Sequence, residues 1–414
     1  MSTSVRLAVV GAGSRGTNYA RLAVRGGAVV SSVAEPDPER RRLFAEEFAL
    51  SEDRVFLTWE HLVAAPKVED AVVIATQDRA HAEPAIAFAE AGYDILLEKP
   101  IAPTEDEAGR IVDAVEAAGV IMAVGHVMRY SDYTRELKAL LDDGAIGRVV
   151  SVEHLEPIGW WHFAHSYVRG NWRTEASSSS MLMAKSSHDL DWLSYIVGRP
   201  VSRISSFGGL YWFTPENKPA QAANRCVDCP LQKTCAYSAT AIYEGFLEDP
   251  SYRVWPLGVL TPHPTRESVH DALENGQYGE CVYNGQNDVA DHQVVNLEFD
   301  DGATASFTAV AFTQLEFRKT RVFGTTGSID GDGQHLTILD FATGETKTVD
   351  TMPSGGASAA DGHGGADGRL VEAFLRAVAS RDASALSSVR ESFESHQLVW
   401  AAERARERGE VVSL

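Results

Sequence analysis

The first 125 residues alternate short apolar runs with longer amphipathic segments. Apolar residues recur with the helical period in the longer segments, which predict helices over Ser14 to Arg25, Pro38 to Phe48, His81 to Ala91 and Thr104 to Ala118. The short runs are rich in β-branched residues and predict the strands RLAVV, VVSSVA, AVVIAT, DILLEKP and VIMAV. Strands and helices that alternate in this way form right-handed crossovers. We therefore predict a parallel α/β domain over residues 1–127.

After Arg129 the pattern changes. One more helix is predicted from Tyr133 to Asp142, and apolar and polar residues then alternate in the segments VVSVEHLEP, VSRISSFGGLYWF, HQVVNLEFDDGATASFTAVAF and FRKTRVFGTTGSIDGD. Asp-Gly and Thr-Gly turns separate these segments, as in a largely antiparallel sheet with one buried face. We predict a second, α+β domain over residues 128–414.

Three further features lie within this second domain. A polar, cysteine-containing insertion occupies about residues 214–285. Residues Pro353 to Gly368 are rich in Gly, Ser and Ala and predict a mobile loop. Amphipathic helices are predicted from Arg369 to Ser380 and from Ser387 to Arg408.

A glycine-rich loop joins the first predicted strand to the first predicted helix. Its three glycines follow the pattern GxGxxG, in which the first allows a tight turn, the second lets backbone approach a pyrophosphate, and the third allows close packing of helix on strand. A turn of this kind, placed between a strand and a helix, is typical of a Rossmann dinucleotide-binding domain. The predicted cofactor contacts of the loop are Gly11, Gly13, Ser14, Arg15 and Gly16.

Glu35 lies nineteen residues after Gly16, at the end of the second predicted strand. A carboxylate there accepts from both ribose hydroxyls of NAD and repels the 2′-phosphate of NADP. The alternatives are a solvated charge at the end of a strand, or an NADP site in which one of the arginines 40–42 folds over the phosphate. We favour NAD.

Lys99 lies between Glu98 and Pro100 at the carboxyl edge of the predicted sheet, where open α/β sheets bind ligands. Proline keeps the preceding residue extended, so the Lys99 ammonium can be aimed into the crevice, donate to a substrate hydroxyl and take part in proton transfer. A surface lysine before a turn is the alternative interpretation. At the neighbouring strand ends, the predicted cofactor contacts are Thr76, His81 and Glu98.

The composition excludes several classes of function. The chain has 414 residues, and a net charge of -21 argues against nucleic acid or an anionic membrane surface as the main partner. No apolar run approaches the roughly 18 residues that span a bilayer, and no secretory signal is visible. We expect a cytoplasmic protein with an acidic, solvated surface.

Taken together, these motifs show that the chain resembles the Gfo/Idh/MocA oxidoreductases. The resemblance extends over nearly the whole length and rests on the glycine loop, the EKP sequence at 98–100, Gly125-His126, Arg129-Tyr130, Ile146-Gly147, Asn171-Trp172-Arg173, and His188 with Asp191. It implies a Rossmann domain followed by a sheet domain that covers the nicotinamide and often forms a homo-oligomer. The usual activity of the family is NAD(P)-dependent hydride transfer at a carbohydrate or cyclitol alcohol, and a few branches are NAD-dependent glycosidases.

The resemblance also implies roles for individual residues. Lys99 and His188 take the catalytic positions, while Trp172 and Arg173 contact the cofactor. The chain departs from the family four residues before the histidine, where the usual aspartate is replaced by Ala184 and followed by Lys185. We include Lys185 among the candidate catalytic residues, although helix residues without chemistry remain the alternative for Lys185 and His188.

Residues 160–173 (WWHFAHSYVRGNWR) are aromatic and basic, with no acidic side chain. Aromatic rings suit the apolar faces of sugars, and Arg forks suit carboxylate, phosphate or sulfonate groups. An aromatic core segment is the alternative interpretation. The predicted substrate-binding residues are Arg129, Tyr130, Trp161, His162, His165, Tyr167 and Arg169. Lys99, Lys185, Arg169 and Arg173 could form a local cationic pocket for one small anion.

All four cysteines lie in or beside the insertion, at Cys226, Cys229, Cys235 and Cys281. Three thiols on a short loop, with a fourth brought in by the fold, suit a structural zinc ion. Unligated thiols and a four-cysteine iron–sulfur cluster are the alternatives.

These features support three hypotheses for function. The first is an NAD-dependent sugar oxidoreductase. The second is an NAD-dependent glycoside hydrolase that works by transient oxidation, elimination, water addition and re-reduction, with an anionic glycoside such as a sulfoquinovoside as one substrate. The third is a non-catalytic NAD-binding sensor, because fold alone does not determine function.

Overall fold

A computed structural model of the chain describes residues 4–352 and 365–414. Most of the predicted mobile loop, residues 353–364, lies outside the described residues. Its last three residues, 366–368, belong to the first turn of a helix.

The N-terminal domain is built on a parallel sheet. Its strands are β1 (Arg6–Val10), β2 (Val29–Ala34), β3 (Val55–Phe56), β4 (Ala71–Ile74), β5 (Asp94–Leu97) and β6 (Met122–Val124). All neighbouring strands are parallel and the order is β3-β2-β1-β4-β5-β6, the order of a Rossmann fold. Strands β4 and β5 are buried on both faces, which explains why they are continuous apolar runs.

Helices cover both faces of this sheet. They are α1 (Ser14–Arg25), α2 (Pro38–Glu47), α3 (Trp59–Ala64), α4 (Ala82–Glu90) and α5 (Glu105–Ala118), and α6 (Asp132–Asp142) follows the last strand. The predicted helices agree with these bounds to within one residue at each end. Capping explains two of the starts, because the side chains of Asp37 and Thr104 accept hydrogen bonds from Arg40 N–H and Glu107 N–H. The short β3 and α3 were not predicted, since neither is long enough to show a period.

The second domain is built on a nine-stranded sheet. Its strands are β7 (Val149–Pro157), β8 (Val201–Gly209), β9 (His292–Phe299), β10 (Thr304–Val310), β11 (Lys319–Gly324), β12 (Gly327–Gly331), β13 (His335–Asp340), β14 (Thr346–Asp350) and β15 (Val412–Ser413). The order is β14-β13-β12-β11-β7-β10-β9-β8-β15, and the β7–β10 pair is parallel while the other pairs are antiparallel. The prediction of a Rossmann domain followed by a largely antiparallel α+β domain is confirmed.

The remaining helices connect the two domains and form the insertion. They are α7 (Trp160–Phe163), which continues into a π-helical turn (Ala164–Arg169), α8 (Met181–Val197), α9 (Ala239–Phe246), α10 (Leu257–Leu260), α11 (Arg266–Asn275), α12 (Ala366–Ser380) and α13 (Val389–Arg408). Helix α12 packs Leu370 and Phe374 into the core of the parallel sheet, beside α1. Helix α13 packs between α8 and α5. The predicted boundary at residue 127 stays a prediction, and the C-terminal helices contribute to both cores.

Within the described parts of the chain, we find no helix with the length and apolar character needed to cross a lipid bilayer.

Candidate active site

The glycine loop has the geometry that its three glycines predict. Gly11 has a φ of +92°, and a Cβ there would lie 2.6 Å from the carbonyl oxygen of Ala75. A Cβ on Gly16 would lie 1.9 Å from the Gly11 oxygen, so close packing of α1 on the loop requires glycine. A Cβ on Gly13 would meet nothing within 4 Å. The middle glycine therefore presents open backbone at the positive end of α1, as a pyrophosphate requires.

Glu35 is buried and turns towards this loop. Its Oε2 accepts from the Ala12 N–H at 2.7 Å, and its Oε1 accepts from the Asp37 N–H at 2.9 Å. Each carboxylate oxygen has a further lone pair, so the ribose of NAD could donate to the same group. Of the neighbouring arginines, Arg41 donates to the Glu35 and Pro36 carbonyls, and Arg42 pairs with Glu39 and Glu46.

Arg15 and Glu98 form a partly buried ion pair below the loop, in which the Arg15 side chain is 34% exposed. The Glu98 carboxylate also accepts from the Tyr19 hydroxyl at 2.9 Å and from the Lys99 N–H at 2.7 Å. Burial acts to raise the pKa of Glu98, but the charges of Arg15 and Lys99 outweigh it and lower the pKa. Arg15 makes a second ion pair, at 2.7 Å, with Asp367 of α12. The predicted cofactor residues Arg15 and Glu98 therefore join α1, β5 and α12.

Thr76 and His81 stabilise the loop after β4. The Thr76 hydroxyl donates to the Ala80 carbonyl at 3.0 Å, and the two ring nitrogens of His81 lie 2.7 Å from the Pro100 carbonyl and 3.3 Å from the Thr76 carbonyl. Their predicted contact with the cofactor stays a prediction.

Lys99 reaches from the end of β5 to the first turns of α8. Its ammonium donates a hydrogen bond to the backbone carbonyl of Ala184, the residue that replaces the family's usual aspartate. Burial lowers the pKa of Lys99, and the nearby charges of Lys185 and Arg15 lower it further, against the raising effects of Glu98 and Asp78. The amine is thus tuned towards its neutral, proton-accepting form.

Lys185 lies beside Lys99 and pairs with an acidic residue from β7. Its Nζ lies 3.1 Å from Oε1 of Glu156, whose Oε2 lies 2.9 Å from Nε of Arg318. Arg318 also pairs with Asp189 of α8. Burial lowers the pKa of Arg318, but the charges of Asp189 and Glu156 outweigh it and raise the pKa. Alternating charges thus extend from Lys185 through Glu156 and Arg318 to Asp189, and Lys99 faces the like charge of Lys185 at one end.

Sequence reasoning missed Glu156, although a signal was present. Val152, His154 and Glu156 alternate along β7 and are all buried, so the period of two places the carboxylate on the inward face. For Arg318, which lies between strands, we find no comparable signal in the sequence.

His188 lies one turn beyond Ala184 on α8, next to two further buried histidines. Its ring centroid is 6.2 Å from that of His126, which stacks at 5.1 Å on His396 of α13. The His126 Nδ1 lies 3.1 Å from the Asp191 carboxylate. Burial, together with the charge of His126, lowers the pKa of His396 to about 3.

Two residues of the aromatic segment lie close to the charges of this site. His162 is half-buried, and desolvation lowers its pKa, with Lys185 among the neighbouring charges that contribute. Burial raises the pKa of Tyr167, to which the charges of Asp78 and Glu156 add. Neutral side chains of this kind suit hydrogen bonds to sugar hydroxyls.

Asp78, which sequence reasoning also missed, anchors the segment to the loop after β4. It accepts from the Trp172 indole N–H at 3.3 Å and from the hydroxyls of Ser178 and Ser179 at 2.8 and 3.1 Å. Its position at the carboxyl edge of the parallel sheet was the available signal.

The other residues predicted to bind substrate or cofactor lie apart from one another in the structure. Arg129 makes a two-pronged ion pair with Asp191, and Arg173 pairs with Glu280. Tyr130 packs against the core of the parallel sheet. Lys99, Lys185, Arg169 and Arg173 were expected to form one cationic pocket. The structure does not bring them together as one group, because Arg169 and Arg173 both donate hydrogen bonds to Glu280 of the insertion.

Trp161, His165 and Arg169 also face the insertion. Trp161 packs against Phe246 at a centroid distance of 4.8 Å, and Nδ1 of His165 lies 2.8 Å from the Tyr243 hydroxyl. These three residues pack against the insertion, as the alternative interpretation of an aromatic core segment predicts. Their predicted role in substrate binding stays a prediction.

The four cysteines line one cavity at the base of the insertion. In residues 4–352 and 365–414 no group of three or more His, Cys, Asp or Glu side chains is arranged to hold a metal ion. The structural zinc ion stays a prediction.

Comparison with known proteins places this fold and site in a class. A model of an oxidoreductase family with an NAD-binding Rossmann fold matches residues 5–126, and the model of its C-terminal alpha/beta domain matches residues 138–414. The fold and the matches define an oxidoreductase enzyme with an NAD-binding domain. The chain belongs to the Gfo/Idh/MocA family.

Several relatives are enzymes with named reactions. The chain is also 24% identical over 83% of its length to the YteT protein of Bacillus subtilis, covering 81% of that protein. It is 35% identical over 50% of its length to inositol 2-dehydrogenase of Streptomyces avermitilis, and the alignment covers 57% of that protein. It is 31% identical over 50% of its length to 2,7-anhydro-N-acetylneuraminate hydratase of Mediterraneibacter gnavus, and the alignment covers 53% of that protein. The structure of levoglucosan dehydrogenase with NADH and L-sorbose matches the fold with a TM-score of 0.72 at 20% identity, covering 99% of each chain.

Proposed function

We propose that the protein is an NAD-dependent enzyme that transfers hydride between nicotinamide and a ring carbon of a carbohydrate. The observation that carries the proposal is the half-buried Lys99 amine, which donates to the Ala184 carbonyl and has a lowered pKa, at the carboxyl edge of β5 between the glycine loop and α8. The inositol 2-dehydrogenase and levoglucosan dehydrogenase relatives support a polyol or sugar as substrate.

The residues present fit NAD as the resident cofactor. The open Gly13 backbone and the start of α1 would hold the pyrophosphate, and the Glu35 carboxylate would hold the adenosine ribose. When bound, NAD supplies the hydride acceptor.

In the oxidation direction, Lys99 accepts the proton of the substrate hydroxyl. Its hydrogen bond to the Ala184 carbonyl aims the amine, and Lys185 lowers its pKa. His188, four residues further along α8, lies on the same helix face as Ala184, where it can orient or protonate a neighbouring hydroxyl. His162 and Tyr167 would contact the other hydroxyls of the sugar.

A second candidate is a redox-neutral reaction, and the Lys185–Glu156 pair favours it. After transient oxidation, the new ketone acidifies the neighbouring C–H, so a second base must remove that proton before the aglycone leaves and water adds. Glu156, paired with Lys185 at 3.1 Å, offers such a base. The hydratase relative supports a net reaction without oxidation in this family. Lys185 and Arg318 could pair with an acidic group on the sugar, as in a sulfoquinovoside.

One experiment separates the candidates. The enzyme is incubated with NAD and a panel of free sugars and nitrophenyl glycosides, neutral and sulfonated. We expect NADH to accumulate with a free sugar, whereas release of the aglycone without net NADH would show the redox-neutral reaction. If NAD binds but neither NADH nor aglycone is produced, the non-catalytic NAD-binding sensor is the hypothesis that remains.

Substitution of Lys99 tests the assignment of the base. Lys99→Met should lower the rate at least about a hundredfold, the lower range for loss of a general acid or base. Lys347→Met is the matched control, because Lys347 is exposed on β14. If the rate of Lys99→Met stays close to that of the control, Lys99 is not the base.

A further inference from the structure

The fold brings the fourth cysteine to the other three. The Cys226 N–H donates to the Gly279 carbonyl at 2.8 Å, and the Cys281 N–H donates to the Asn224 carbonyl at 2.9 Å. An antiparallel bridge between Arg225 and Glu280 lies between these two bonds. The loop that carries Cys226, Cys229 and Cys235 is therefore held beside Cys281.

The four thiols border a cavity of about 420 Å³. A zinc ion holds its four sulfurs about 2.3 Å from one centre and would fill little of a cavity of this volume. An iron–sulfur cluster is larger, since each cysteine ligates a different iron at its edge. Four cysteines that line one cavity of this volume suit the cluster better than the ion.

Arg169 supplies a second, independent observation. It lines the same cavity and is only 2% exposed. Its Nε and Nη2 donate to the Glu280 and Tyr237 carbonyls at 2.8 and 2.7 Å, and Nη2 also lies 3.5 Å from the Cys226 sulfur. Its Nη1 is buried and has no hydrogen-bond partner among the described residues.

A buried cation with an unpaired N–H is costly beside neutral thiols. Four thiolates around an iron–sulfur core carry net negative charge, and N–H donors near the sulfurs stabilise such clusters. The Arg169 guanidinium has the charge and the position for this role, and Arg225 borders the same cavity.

We propose that Cys226, Cys229, Cys235 and Cys281 ligate a [4Fe–4S] cluster, with Arg169 as a charge partner. A preassembled cluster is transferred from a carrier. Each thiol loses its proton to solvent and forms one Fe–S bond as one carrier ligand leaves, so no oxidation state changes. The cluster joins the insertion to the π-helical turn that follows α7.

Metal and sulfide analysis tests the proposal. The full-length protein is purified without oxygen from iron-supplied cells, and iron, acid-labile sulfide and zinc are measured per chain. We expect about four irons and about four sulfides, with a broad visible absorbance. About two of each would overturn the four-iron assignment, and zinc alone or no metal would overturn the cluster.

Two variants locate the cluster. Cys281→Ser should lose most of the iron and the visible absorbance, while Thr234→Ala, a change in the same cavity that removes no thiol, should keep both. NAD binding reports whether Cys281→Ser still folds, because the glycine loop lies in the other domain. A folded Cys281→Ser protein with full iron content would overturn the assignment of Cys281.

Discussion

Two glycines of the cofactor loop have opposite constraints. Gly16 is required by its own backbone neighbours, since a methyl group there would overlap the Gly11 carbonyl. Gly13 meets no protein atom on the side where its methyl would lie. Gly16 is therefore needed for close packing, and Gly13 keeps the space in front of the loop open.

Alanine substitutions should separate these roles. Gly16→Ala should lower the free energy of unfolding by about 1–3 kcal/mol, the usual cost of overpacking. Gly13→Ala should leave stability within about 0.5 kcal/mol, typical of changes that touch no neighbour, but weaken NAD binding at least about tenfold through steric exclusion of the phosphates. Urea unfolding and NAD titration measure the two effects. Equal losses of stability in both variants would contradict the distinction.

The Lys99–Lys185 pair makes a prediction about pH. Oxidation requires neutral Lys99, so the rate constant kcat/KM should rise with pH and level off at an inflection below the ordinary lysine value of 10.5. Lys185→Met removes a charge that lowers the pKa of Lys99, so its inflection should move to higher pH. An unchanged inflection would show that Lys185 does not tune the base, and Lys347→Met provides the control profile.

Helix α13 joins the two domains through a buried histidine. The Nε2 of His396 accepts from the Ile101 N–H at 3.0 Å, and its Nδ1 lies 2.7 Å from the Ser392 carbonyl. The ring is neutral in this position because burial lowers its pKa to about 3. Protonation of His396 would therefore oppose the packing of α13.

This neutral histidine makes stability depend on pH. The folded pKa of about 3 lies below the unfolded value of 6.5, so the unfolded chain binds more protons between these values. Stability should be complete above pH 6.5 and fall as the pH drops towards 3, by up to about 1.4 kcal/mol per pH unit for His396.

The variant His396→Gln can keep both hydrogen bonds without titrating. Its urea midpoint should depend less steeply on pH between 6.5 and 5 than that of the unchanged protein. His270→Gln is the control, because His270 is exposed on α11. Equal slopes in all three proteins would rule out His396 as the titrating group.

The surface of the molecule combines strong acidity with exposed aromatic side chains. The net charge of -21 opposes binding to polyanions. Phe207, at the outer end of β8, is 66% exposed, and the nearby Tyr211 is 72% exposed. A second copy of the chain that covered these two side chains would remove their apolar surface from water.

We predict a homo-oligomer in which a second copy covers this region. Sedimentation velocity should show a species larger than 44.9 kDa. Phe207→Ser should raise the monomer fraction at low protein concentration, whereas Phe341→Ser, a change at an exposed aromatic residue after β13, should not. A monomer at all concentrations would contradict the prediction.

Local patterns were sufficient for much of the architecture. The period of each helix in the first domain and the glycine loop are properties of consecutive residues, and the structure agrees with them. The caps at Asp37 and Thr104, which were not predicted, are also local. Alternation along β7 places His154 and Glu156 on one buried face. Glu156 was not among the site residues predicted from the sequence, and the structure shows its ion pair with Lys185.

The aromatic and basic segment shows where local patterns failed. Its composition suggested one substrate pocket. The structure divides it, with His162 and Tyr167 near Lys185 and Glu156, and Arg169 in the cysteine cavity. A π-helical turn changes which side chains share a face, and composition carries no information about that.

The order of strands and helices, the cofactor loop and the family followed from the sequence, because they depend on periodicity and backbone geometry within short stretches. The partners of each charged group were decided by the tertiary structure. Lys99 donates a hydrogen bond to the carbonyl of Ala184, which is 85 positions away in the chain. The ion pairs of Arg318 with Asp189 and of Arg15 with Asp367 join residues that are 129 and 352 positions apart. A charge buried by folding must find a partner among the groups that packing brings near it, and those groups are distant in the chain.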